Sequence, residues 1–174
     1  MIRGKLVNLR PVAASDLDSL EAWMAEPNFA GEFNTFALRP DGAFRRGFAE
    51  HGHLTDDRGT LLLVTGDGAF AGDIAYRRVT YGPGNGNHAY EIGISVAAAQ
   101  RGRGYGTEAQ RLLAAYLFAT YPIARVQAST DITNIAEQRA LEGAGFVREG
   151  ILRRAQFRAG DWHDLVMYSK LRGE

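Results

Sequence analysis

Residues 89–96 read AYEIGISV, in which Tyr90, Ile92, Ile94 and Val96 alternate with Glu91, Gly93 and Ser95. A period of two puts the first set on one face of a strand and the second on the other, so one face is core and the other is small and polar. The period then changes. From Thr107 to Thr120 apolar residues recur at Ala109, Leu112, Leu113, Tyr116 and Leu117, which is the stripe of an amphipathic helix, stopped by Pro122. Upstream, KLVNLRPV predicts a short first strand closed by Pro11, and SDLDSLEAWMA a helix with Ser15 as N-cap and Asp18 three residues on. A second helix is expected after Pro40. TLLLVT and AFAGDIAYRRV flank Asp67-Gly68 and predict an antiparallel hairpin, whereas YGPGNGNH (81–88) is a loop by composition. Downstream come a strand (RVQAST), a helix ending at glycine (NIAEQRALEGAG) and a last hairpin, FVREGILRRAQF with DWHDLVMYSKL, turning at Ala159-Gly160. Helices lie between strands in the middle and strands pair locally at both ends. That order predicts an α/β (α+β) fold with a mixed sheet covered by helices.

Composition narrows the partners. The 174 residues have the length of one ordinary domain, 1–174, without repeats or low-complexity tracts. Lys+Arg and Asp+Glu balance at 20 each, so no general field draws nucleic acid or an anionic membrane, and any anion must be bound locally. With no cysteine, disulfides, thiolate zinc sites and a cysteine nucleophile drop out together, and a cytoplasmic location is expected. Apolar runs such as LLLV are far shorter than a membrane span, and the N-terminus lacks a signal peptide's apolar core. His51 and His53 have no carboxylate frame beside them, so no metal is expected.

The chemistry concentrates at AAAQRGRGYGTEAQ (98–111), where Gly102, Gly104 and Gly106 alternate with bulky residues just before the long helix. A strand, a glycine-rich turn and a helix start form an anion site, because first-turn N–H groups lack helical partners and the helix dipole adds positive charge. Bare glycines let oxygen atoms approach the backbone, and Arg101 and Arg103 add charge at the rim. Phosphate is the natural guest. The plainer reading is a surface loop whose glycines cap the strand. A P-loop requires Lys-Ser/Thr after its last glycine, and a dinucleotide fingerprint requires G-x-G-x-x-G; neither fits Gly106-Thr107-Glu108 or the G-x-G-x-G spacing.

QRGRGYGTEA after YEIGISV resembles the acetyl-CoA signature Arg/Gln-x-x-Gly-x-Gly/Ala of the GNAT N-acetyltransferase superfamily, with Arg101, Gly104 and Gly106 at its fixed positions. The continuation DITNIAEQRALEGAGFVREGILRRAQFRAGDWHDLVMYSKL resembles the RimJ/RimL-like branch, in which an Asn opens a helix ending in Gly-Phe and the final hairpin carries Gly-x-Trp-x-Asp. The similarity runs from about residue 60 onward; the first 55 residues match only in layout. The resemblance implies a mixed, mostly antiparallel sheet with a splayed central strand pair. It implies that Ile94, Ser95 and Val96 contact pantetheine through main chain, and that Arg101, Gly102, Arg103, Gly104, Tyr105, Gly106 and Thr107 cradle the diphosphate. It also implies a backbone N–H near Val96 polarising the thioester oxygen, Asn134 holding the pantetheine part, and a homodimer with the terminal hairpin as candidate interface.

Acetyl transfer to an amine needs an uncharged nitrogen, an in-line approach and a proton for the leaving thiolate. Glu91, on the small polar strand face, is the candidate base, matching a glutamate that related enzymes place there; it reads equally as a partner of Arg77 or Arg78. Asn134 with Glu137 also makes an N-cap with a capping-box partner. The family often has Ser three residues after this Asn, or Tyr in the following helix, as general acid. This chain has Glu137 and Leu141, which leaves that role open among water, Tyr90, a protonated Glu137 and a thiolate that needs no side-chain acid. His88 and His163 read as auxiliary bases or as surface residues, and Trp162 and Asp164 as packing. EPNFAGEFNTFALRP (26–40) lies where this fold lines its acceptor pocket; Glu32, Phe33 and Phe36 are the substrate-side candidates, an aromatic wall with a carboxylate suiting an ammonium. Phe29, Phe33 and Phe36, at i, i+4 and i+7, also fit the buried face of a helix. The expected activity is direct transfer from acetyl-CoA to a primary amine of a small molecule or peptide. The rival readings are a non-catalytic acyl-CoA sensor and a nucleotide-binding α/β protein.

Overall fold

A computed structural model describes residues 1–26, 29, 31–34, 40–84 and 86–174. Phe36 lies outside the described residues. Seven strands form one sheet in the order β1-β2-β3-β4-β5-β7-β6: β1 (Val7–Pro11), β2 (Arg58–Thr65), β3 (Phe70–Thr80), β4 (His88–Val96), β5 (Arg125–Asp131), β6 (Val147–Arg158) and β7 (Asp161–Leu171). Every neighbouring pair is antiparallel except β4 and β5. Four α-helices accompany them among the described residues: α1 (Leu17–Met24), α2 (Ala43–His51), α3 (Tyr105–Thr120) and α4 (Ile135–Gly143). The mixed α/β sheet expected from the element order, mostly antiparallel as the resemblance implies, is the one observed.

The run Leu61 to Val64 shows how the layers form. All four residues are buried; Leu61 and Leu63 join a core under α3 and α4, while Leu62 and Val64 join a second core with Leu17, Leu20 and Trp23 of α1. A strand covered on both faces reads as a continuous apolar run rather than an alternation. In β4 the alternation holds only in part: Tyr90 and Ile92 are buried, but Ile94 and Val96 are half-buried.

Three local expectations change. Ser15 is not an N-cap. A 3₁₀ turn, Ala14–Asp16, precedes α1, and Asp16 does the work instead, accepting from the Ala13 N–H at 2.8 Å and pairing with Arg10 at 2.6 Å. The long helix starts at Tyr105, two residues before the predicted Thr107, because Gly104 takes a left-handed φ of 80° and serves as its N-cap. Phe33 lies in a turn, not on a helix face.

Candidate active site

The β4–β5 pairing is brief. Its parallel register covers only Tyr90↔Val126 and Glu91↔Gln127. Beyond it β4 continues against β3 as far as Gly72↔Val96, and β5 continues against β7 as far as Asp131↔Leu165. The two strands diverge, and the edge of β4 from Ile92 to Val96 has no β5 partner. Backbone groups on such an edge require other hydrogen-bond partners. A cavity of about 610 Å³ opens there.

The first wall of the cavity is mostly backbone. Ile94, Ser95 and Val96 line it from β4, and Arg101, Gly102, Gly104, Tyr105, Gly106 and Thr107 from the turn and the start of α3. The first helical bond of α3 runs from the Glu108 N–H to the Gly104 carbonyl, so the N–H groups of Tyr105, Gly106 and Thr107 have no helical partner. A Cβ on Gly106 would lie 3.8 Å from Val96 Cγ2 and 4.0 Å from Ile94 Cδ1, so its absence leaves the helix start bare where it faces the strand. Arg101 Nε donates to the Val96 carbonyl at 3.0 Å, holding that cation beside the strand end. The turn is fastened from behind by Glu108, whose buried carboxylate accepts from the N–H groups of Lys5, Leu6 and Val7 at 2.9, 2.6 and 2.8 Å.

The second wall is the first turn of α4. Asn134 is its N-cap and accepts from the Glu137 N–H at 3.2 Å; both residues line the cavity. Burial pushes the Glu137 carboxyl up to about 7, against an opposing hydrogen bond from Gln110 Nε2 at 2.8 Å. Gln110 is itself buried and its Oε1 has no partner among the described residues. A carboxyl with a pKa near 7 exchanges its proton around neutrality, so it is able to donate one at the edge of a cleft. The third wall holds Phe29, Glu32 and Phe33. Phe29 packs edge-on against Trp23 at 4.4 Å, which ties it to the α1 core.

Other candidates stand apart from the cavity lining. Arg103 is exposed and does not line it. Glu91 lies at the vertex of the splay, where its carboxylate accepts from Arg77 Nη2 at 2.7 Å and Gln127 Nε2 at 3.1 Å. Tyr90 drops out as a proton donor: it is fully buried, its hydroxyl donates to the Asp56 carbonyl, and burial pushes its pKa up to about 12. His163 is held in the Asp131 cluster, its Nδ1 lying 3.0 Å from Asp131 Oδ2. Trp162 is half exposed and packs against Phe157 at 5.4 Å. No cluster of metal-ligating side chains occurs among the described residues, and no described helix is long and apolar enough to cross a membrane. Sequence reasoning passed over Gln110, although Gln110, Leu113, Ala114 and Leu117 follow the i, i+3, i+4, i+7 spacing of a buried face.

Residues 7–147 match the family described as an acetyltransferase (GNAT) domain. The chain belongs to the GNAT acetyltransferase family. It is therefore an acetyl-CoA-dependent acyltransferase. This GNAT domain is 22% identical over 156 residues to the uncharacterized N-acetyltransferase YnaD of Bacillus subtilis (strain 168), covering 87% of the chain and 89% of YnaD. Its fold matches spermidine N-acetyltransferase from Vibrio cholerae in complex with CoA and spermine, with a TM-score of 0.81 at 16% identity over 97% of each chain. It also matches Mycobacterium smegmatis RimJ in complex with CoA-disulfide, with a TM-score of 0.76 at 23% identity over 95% of this chain and 82% of RimJ.

Proposed function

We propose that this GNAT domain transfers an acetyl group from acetyl-CoA to a primary amine, of a small molecule or a peptide, with both substrates bound together. The observation that carries this reading is the cavity at the splay, with a released strand edge and unpaired helix-start amides on one side and Glu32 and Phe33 on the other. Those groups fit acetyl-CoA. Three first-turn amides and Arg101 suit a diphosphate, the free edge of β4 suits an amide-bearing arm, and Asn134 adds a polar side chain across the cleft. The spermidine acetyltransferase and RimJ were both solved with CoA, which supports acetyl-CoA as the ligand, and the RimJ likeness supports the RimJ/RimL-like branch.

Acetyl-CoA supplies the activated acyl group when bound. Ile94, Ser95 and Val96 orient it through main chain, and a backbone N–H near Val96 stabilises negative charge on the carbonyl oxygen. Glu91, at the vertex and outside the cavity lining, receives through water the proton the amine must lose. Glu137 holds a proton in the α4 wall and is the group placed to release it to the sulfur side. No covalent enzyme intermediate is required, and the chain has no cysteine to form one.

The test is a panel of amines with acetyl-CoA, read by free-thiol release, alongside calorimetry of CoA binding. Thiol release with at least one amine, reduced about 100-fold by Glu91→Gln at unchanged CoA affinity, is the expected result. Heat on mixing with CoA but no thiol release from any amine would replace catalysis with sensing. No heat at all would remove the site.

A further inference from the structure

Phe33 lines the cavity from a turn, and one buried side chain from the far end of the sequence reaches it. Arg158, the last residue of β6, donates through Nη1 to the Phe33 carbonyl at 3.1 Å, and its guanidinium carbon lies 5.5 Å from the Phe33 ring centroid. Its side chain is 5% exposed. Through Nη2 the same guanidinium meets Asp131 Oδ2 at 2.5 Å. Asp131 closes β5, the arm of the splay opposite β4, and precedes Asn134 by three residues. Burial alone would push the Asp131 carboxyl up, but hydrogen bonds from Thr133 N and Oγ1 and from Arg158 outweigh it and pull it down to about 2. His163 Nδ1 and Gln156 Oε1 complete the cluster, at 3.0 Å from Asp131 and 2.6 Å from Arg158.

We propose that Arg158 is a positioning residue for the acceptor amine, acting through Phe33 and anchored on Asp131. The proposal rests on the Phe33 wall being the acceptor side. A buried ion pair is weak evidence for stability, since apolar residues of similar volume often do as well in its place. What this pair adds is geometry. A planar guanidinium engages the Phe33 carbonyl through one nitrogen and Asp131 through the other, and so fixes the distance between the acceptor wall and the β5 arm of the cleft. A lysine at 158 keeps the charge but brings a single ammonium without that fork. The cation over the Phe33 ring also occupies one of its faces, leaving the acceptor the other face and the Glu32 carboxylate.

Arg158→Lys, Phe33→Ala and the double variant, assayed with an amine from the panel, test this. Arg158→Lys is expected to raise the amine KM about 10-fold, to change kcat less than about 3-fold and to leave the CoA Kd unchanged. The double variant is expected to be no worse than Phe33→Ala alone, because the arginine acts through that residue. Multiplying effects, an unchanged amine KM, or a CoA Kd that moves as far as the KM would each overturn the proposal. Deuterium exchange supplies a readout without turnover: amides 31–34 exchange faster in Arg158→Lys while those of α3 do not, and equal exchange in both proteins also overturns it. That arm stands even if no amine is acetylated, so failure of the transfer reading and failure of the anchor are told apart. Should Arg158→Lys not fold, Asp131→Asn, which keeps an acceptor oxygen and removes the charge, is measured in its place with the same expected outcomes.

Discussion

The two sides of the cavity are made of different material. The side formed by β4, the glycine turn and α3 presents peptide groups, whose positions follow from strand pairing, a left-handed Gly104 and a helix that begins immediately after it. The side formed by Phe29, Glu32 and Phe33 presents side chains, and two of its holding contacts come from Trp23 and Arg158. Under the proposed function, the wall of peptide groups is the one that takes what every acetyl-CoA molecule shares, and side-chain substitutions elsewhere alter it little. A wall of side chains is free to change with the amine. The difference separates a part of the site set by local backbone conformation from a part set by distant packing.

Perturbing each side in turn tests that separation. The largest effect is expected at the vertex between them, where Glu91→Gln lowers kcat about 100-fold while the CoA Kd and the amine KM hold nearly constant. Next is Gly104→Val. A side chain in the left-handed region costs roughly 1–2 kcal/mol, and Leu6 Cδ1 lies 3.3 Å from where its Cβ would stand. CoA affinity measured by calorimetry should fall about 10-fold, with the amine KM unaffected in turnover assays at saturating acetyl-CoA.

Glu137→Gln sharpens the comparison through pH. Because burial raises the Glu137 pKa to about 7, the folded protein binds this proton more tightly than the unfolded chain. Wild-type stability is therefore fully retained below the ordinary carboxyl range, falls as pH rises from there through 7, and is level above it. The glutamine variant lacks this loss, so its melting temperature should match wild type near pH 4 and exceed it by about 4 °C at pH 8. The wild-type CoA Kd should weaken across the same interval, as a carboxylate forms beside a polyanionic ligand, and should stay flat in the variant. The smallest effect is expected at Glu32, which is exposed. Glu32→Gln should raise the KM of a cationic amine about 2-fold at low salt and have no measurable effect at high salt.

The difference between the walls also decides what was legible in the chain. The glycine turn, β4 and α3 are contiguous between residues 88 and 120; strand alternation, bare turn and helical stripe therefore appear in one short stretch. The start of α3 was misplaced by two residues because Tyr105 and Gly106 read as turn until the conformation of Gly104 is known. Gln110 was hidden by its polarity, and its partner Glu137 lies on another helix. The network on Asp131 draws on residues 33, 133, 156, 158 and 163, and no local pattern announces such a cluster. Glu91 shows a third situation. Both of its readings were visible, and the Arg77 pair is present, but Gln127 enters only because β5 runs parallel to β4 at that point.

The order of strands and helices and the glycine turn before α3 were determined by the sequence alone, since periodicity, proline and glycine act over a few residues. Only the tertiary structure decided where β4 and β5 part, that burial raises the Glu137 carboxyl to about 7, and that Arg158 reaches the Phe33 carbonyl. Each of these depends on solvent exclusion or on pairing between distant segments, which are properties of the packed chain and of no short stretch within it.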